Sequence, residues 1–133
     1  MVIDEVQSYT GAVSKESKEL QAEFVRLLTD IIKKGRSACV AVVCATQKPT
    51  IDAMPSSLRD EMAKRYCFRV STSDMARAAL GVIPDDGPSP VDIPFAAKGL
   101  AVGTSDDGGL EYVQFDHLPE SVIDSLLGGS DES

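Results

Sequence analysis

Leu20, Phe24, Leu27, Leu28, Ile31 and Ile32 recur at three- and four-residue steps, the spacing of one helical face. Residues 15–34 therefore read as an amphipathic helix, with Ser14 placed to cap its start and Gly35 just past its end. Two other apolar stretches lack that period. Met1-Val2-Ile3 is short and β-branched, and Ala-Cys-Val-Ala-Val-Val-Cys-Ala at 38–45 is a continuous run of strand length. Such a run fits a parallel strand covered on both faces, in which Cys39 and Cys44 point to opposite sides and cannot pair.

Beyond the turn at Pro49, a short helix is expected over 56–63 and a strand over Tyr66 to Val70. Ser73 or Thr72 then caps a helix through Leu80, stopped by Gly81. Four prolines and a glycine between Pro84 and Pro94 mark an irregular loop. Strands at about 99–103 and 110–115 flank Asp107-Gly108-Gly109 as a hairpin, and a last helix is expected from Pro119 to Leu127. Strand and helix alternate, so the expected class is α/β with an open, mostly parallel sheet flanked by helices, followed by a C-terminal β-hairpin and helix. In such sheets ligands sit beyond the carboxyl ends of strands. That rule directs attention to the residues just after Ile3 and Ala45.

Composition narrows the class of function. The chain has 133 residues, 43% hydrophobic and 26% charged, enough for one core. No run approaches the length of a spanning helix and no signal-peptide pattern opens the chain, so a cytoplasmic protein without a membrane segment is expected. Three cysteines without Cys-x-x-Cys and a single histidine exclude a disulfide scaffold and a structural zinc site. The net charge is -8, unevenly distributed. Residues 1–80 hold 12 Lys+Arg against 10 acids, a net +2, whereas 81–133 hold Lys98 alone against 11 acids, a net -10. Any polyanion contact belongs to the first part, and residues 128–133 read as a disordered acidic tail.

Asp4 and Glu5 close the first strand with adjacent carboxylates. One can hold Mg²⁺ through its water shell while the other polarises an attacking water, although a strand can also simply end at two acids. Gln47, at the tip of the second strand within Thr46-Gln47-Lys48-Pro49, can sense a γ-phosphate or be a solvated turn residue. Arg36 can oppose the preceding helix dipole or reach into a neighbour's site. Met54, Met62 and Met75 are expected as core fillers, His117 as a surface residue, and Lys33-Lys34-Arg36 as a basic helix terminus.

These segments together carry a resemblance. Val2-Ile3-Asp4-Glu5, a helix, Gly35-Arg36-Ser37-Ala38, the apolar strand into Ala45-Thr46-Gln47-Lys48-Pro49, and Arg65-Tyr66-Cys67-Phe68-Arg69-Val70-Ser71 resemble, in order and spacing, the FtsK/SpoIIIE family of DNA translocases. The resemblance covers about residues 1–81, with Lys48 where the family has arginine. It implies a RecA-like P-loop NTPase core that hydrolyses ATP with Mg²⁺ at the subunit interfaces of a hexameric ring and moves double-stranded DNA. Asp4 would be the metal-associated acid, Glu5 the base that activates water, Gln47 the γ-phosphate sensor and Arg36 the trans-acting arginine. Asp4, Glu5 and Gln47 would contact the nucleotide.

No Gly-x-x-x-x-Gly-Lys-Ser/Thr occurs in these residues. The phosphate-cradling loop is thus expected elsewhere, and ATP hydrolysis by this polypeptide alone is not expected. In a RecA-like sheet the strand leading to that loop lies between the strand ending at Gln47 and the one at Tyr66 to Val70, so its absence is expected to leave a gap: either the two pair directly, or another chain fills it, or the fragment folds poorly. Residues 1–127 then read as an incomplete motor domain, 1–81 carrying the motifs and 82–127 the loop, hairpin and closing helix. The expected function is part of a double-stranded DNA translocase in chromosome segregation or conjugative transfer, partnered by copies of itself or by a chain carrying the phosphate loop. The alternative is a non-catalytic module that binds a partner motor without turning over ATP.

Overall fold

The computed structural model describes residues 1–11 and 14–128. Most of the expected acidic tail, residues 129–133, lies outside the described residues.

Strand β1 (Val2–Ile3) pairs in parallel with β2 (Val43–Cys44), and β3 (Tyr66–Phe68), β4 (Leu100–Thr104) and β5 (Leu110–Gln114) form a separate antiparallel sheet in that order. Five helices accompany them: α1 (Gln7–Thr10), α2 (Lys15–Gly35), α3 (Ser56–Arg59), α4 (Ser73–Leu80) and α5 (Glu120–Leu126).

The long helix forms where its apolar period places it. Ser14 accepts from the backbone N–H of Ser17, and the Ser17 side chain returns a bond to the Ser14 N–H, a reciprocal cap. Gly35 is the last residue of α2 rather than its stop, and a 3₁₀ turn over Arg36–Ala38 follows. Thr72 caps α4 by accepting from Met75 N–H, and Gly81 ends it at φ 90°.

The run at 38–45 differs from its expectation. Cys39 adopts a left-handed turn (φ 55°), and the regular strand shrinks to Val43–Cys44, with Val40 43% and Val43 55% exposed. Apolar content predicts a strand covered on both faces, but among the described residues β2 has only β1 beside it. The expected helix at 56–63 is likewise shortened to one turn, α3.

The core lies on the antiparallel side, where Cys67, Leu80, Ile93 and Val102 pack together. Leu58, Ala76 and Ala101 are also fully buried, and Val6 is buried directly after the acidic pair. Burying Leu58 contributes about 1.5 to 3 kcal/mol. Met54, Met62 and Met75 are only half-buried and lie outside the core cluster, so they are not the core fillers expected, whereas His117 is exposed as expected.

Among the described residues β2 and β3 do not pair with each other. On β2, Val43 and Ala45 donate their N–H groups to Met1 and Ile3 carbonyls, both at 2.9 Å, so the backbone groups of Val42 and Cys44 point to the opposite edge. On β3, Arg65 O accepts from Thr104 N–H at 3.0 Å and Cys67 faces Val102, leaving Tyr66 and Phe68 with outward backbone groups. No strand joins these two edges among the described residues.

Candidate functional site

The parallel pair brings its two tips to one rim. Met1 N donates to Ala41 O at 2.7 Å, Ala45 N to Ile3 O at 2.9 Å, and Val6 N to Ala45 O at 2.9 Å. The ladder thus ends with Asp4 and Glu5 beside Thr46 and Gln47. Glu5 occupies the left-handed region at φ 51°, a conformation costing about 1 to 2 kcal/mol for a residue with a Cβ. Asp4 Oδ1 accepts from the Glu5 N–H at 2.9 Å and supports that turn, and Val6, buried on its far side, anchors it.

A chain of donors links the side chains at this rim. Lys48 N–H donates to Thr46 Oγ1 at 3.1 Å, and the Thr46 hydroxyl donates to Gln7 Oε1 at 2.6 Å. Gln7 Nε2 donates to Glu5 Oε2 at 2.8 Å, while Gln47 Nε2 donates to Glu5 Oε1 at 2.6 Å. Both oxygens of Glu5 are held, each by a separate amide. Glu5, Gln7 and Thr46 are half-buried, whereas Asp4 and Gln47 are exposed.

Of the residues singled out from the sequence, the structure brings Asp4, Glu5 and Gln47 together. Arg36 lies elsewhere: it is exposed on the 3₁₀ turn leading into the opposite end of the parallel ladder, so it does not meet Glu5 within one chain. Gln7 and the hydroxyl of Thr46 received no role from sequence reasoning. A polar residue two positions beyond an acidic strand end was the available signal.

The donor set fits one end of a magnesium nucleotide. Asp4 keeps Oδ2 available for a hydrated cation, which takes few protein ligands. Among the described residues no three His, Cys, Asp or Glu groups converge to hold a metal outright. The sequence holds no Gly-x-x-x-x-Gly-Lys-Ser/Thr loop to cradle the phosphate chain, so the fit stops at the terminal phosphate.

Two comparisons relate this geometry to known proteins, and no family model matches the chain. Over 80 residues, 60% of its length, the chain is 31% identical to DNA translocase FtsK 2 of Ralstonia nicotianae. In fold it is similar to the pCW3 conjugation coupling protein TcpA, whose monomer form was solved with ATPγS, at a TM-score of 0.68 and 17% identity over 94% of this chain. The fold is therefore α/β and like that of the coupling protein, and the chain resembles part of an FtsK-type DNA translocase. The chain spans 9% of the length of that translocase and 36% of the coupling protein's chain. Among the described residues no helix is long and apolar enough to cross a membrane.

Proposed function

We propose that residues 1–127 form the hydrolytic rim of an ATP-driven double-stranded DNA translocase motor whose phosphate-binding loop lies outside this sequence. The observation that carries the reading is the bond between Gln47 and Glu5 at the tips of adjoining parallel strands. Asp4 would hold the hydrated Mg²⁺, Glu5 would take the proton of the attacking water, and Gln47 would leave Glu5 for the terminal phosphate. Bound ATP with Mg²⁺ supplies the phosphoryl group that is cleaved. Arg36, at the far end of the ladder, can only serve a neighbouring subunit, which suits assembly into a hexameric ring. Residues 1–81 carry the motifs and 82–127 close the domain through the hairpin and α5. The outward edges of β2 and β3 mark where a strand bearing the phosphate loop would seat, from a partner chain or an adjoining segment. The reading places the protein in the cytoplasm, working on DNA in segregation or conjugative transfer.

Nucleotide binding tests it. Calorimetric titration with magnesium-ATPγS is expected to show no binding to this chain alone and binding once a strand-loop-helix with Gly-x-x-x-x-Gly-Lys-Ser/Thr is supplied. Equal affinity in both cases overturns the reading.

A further inference from the structure

The geometry points to Gln7 as a positioning residue: with Thr46 it forms a one-way hydrogen-bond relay that fixes the Glu5 carboxylate so that Gln47 latches it until the terminal phosphate draws Gln47 away. The inference rests on the proposed motor function and adds a residue and a resting state to it.

The direction of the relay is set by donor and acceptor capacity. The Lys48 N–H fills one lone pair of Thr46 Oγ1, and the hydroxyl donates its proton to Gln7 Oε1. The Gln7 amide presents Nε2 to Glu5, which accepts with Oε2. The orientation of Gln7 is set at the Glu5 end, because an ionised carboxylate only accepts: Nε2 must face Glu5, which leaves Oε1 to accept from the Thr46 hydroxyl. Glu5 in turn is left with one rotational choice, and Oε1 faces Gln47.

This arrangement has a functional consequence. A carboxylate that accepts an amide bond on each oxygen is held in one orientation, and the Gln47 amide stands where a water would approach Oε1. When Gln47 turns to a phosphate oxygen, Oε1 is released toward the water while Oε2 stays with Gln7. The base becomes available when the substrate's terminal phosphate is in place, and its aim does not change. Without Gln7 the released carboxylate would rotate about its side chain and lose that aim.

A pair of substitutions separates this role from packing. Thr46→Val keeps shape and strand preference but removes the hydroxyl; Thr46→Ser keeps the hydroxyl and loses a methyl. The first readout needs no catalysis: the side-chain amide signals of Gln7 and Gln47 in ¹⁵N NMR spectra of the full chain. Both are expected to move toward free-amide positions in Thr46→Val, and the Gln47 signal to do so in Gln7→Ala; both stay in place in Thr46→Ser. Signals unmoved in Thr46→Val and Gln7→Ala overturn the inference. The second readout is turnover with the phosphate-loop segment supplied. Gln7→Ala and Thr46→Val are expected to lower kcat about 10-fold with KM for ATP unchanged, and Thr46→Ser to retain it. Full kcat in Gln7→Ala and Thr46→Val overturns the inference while leaving the motor reading intact. Absence of turnover in the wild-type mixture counts against the motor reading alone, because the amide signals still decide the relay.

Discussion

Gln47 Nε2 stands 2.6 Å from Glu5 Oε1 although 42 residues separate them in the chain. The contact exists because β1 and β2 run in parallel and end together, and because Glu5 turns back in a left-handed conformation to meet its partner. Neither residue belongs to the apolar core, so the loss of catalysis on substitution is expected to exceed the loss of stability. In the complemented protein, Glu5→Gln is expected to lower ATP hydrolysis by about 100-fold or more and, by setting one amide donor against another, to cost about 1 to 3 kcal/mol of folding free energy. Phosphate release and a denaturant titration check the two halves.

Leu58 is 0% exposed on the one-turn helix α3, between the long helix and α4. Leu58→Ala is expected to cost about 2 to 5 kcal/mol. The lower midpoint should appear in urea unfolding with an unchanged slope.

Burial pushes the Cys67 thiol up from 9.0 to about 11 and also raises the Cys44 thiol, whereas Cys39 is exposed. A disulfide reagent at pH 8 should therefore modify Cys39 first and Cys67 only as the chain opens. The raised value fixes the sign for stability. The folded state keeps the proton longer than the unfolded chain, so the Cys67 contribution is intact below pH 9.0 and is lost as pH rises toward 11. Urea midpoints measured across that range, with Cys67→Ala as the control, should lose this component of the decline.

Gly99 sits at φ 78°, and a Cβ there would lie 2.5 Å from the Phe115 carbonyl oxygen. Phe115 N–H donates to Gly99 O at 2.9 Å, closing the base of the β4–β5 hairpin. Gly99→Ala is expected to destabilise by at least about 1 kcal/mol, with faster amide exchange at Phe115 as the local signature.

The parts of the fold that are legible in the sequence are those decided locally. The 3.6-residue period and Ser14 specify α2, Thr72 and Gly81 bound α4, and Asp107-Gly108-Gly109 announces the hairpin. The run at 38–45 departs from its apolar pattern because strand character depends on what lies beside it, and among the described residues β2 has a neighbour on one edge only. At the site, the placement of Asp4, Glu5 and Gln47 at strand tips is legible from apolar runs ending in polar residues. The part of Gln7 is not, since only the left-handed turn at Glu5 and the parallel register bring it under Thr46. The separation of Arg36 from Glu5 likewise comes from register, which a single sequence does not display.

The most direct test measures magnesium-dependent phosphate release from ATP by this chain, by a strand-loop-helix polypeptide carrying the phosphate loop, and by their equimolar mixture. Turnover is expected in the mixture alone, lost in Glu5→Gln and strongly reduced in Arg36→Ala. Turnover by the single chain, or by a mixture indifferent to Glu5→Gln, would contradict the assignment of this rim to ATP hydrolysis.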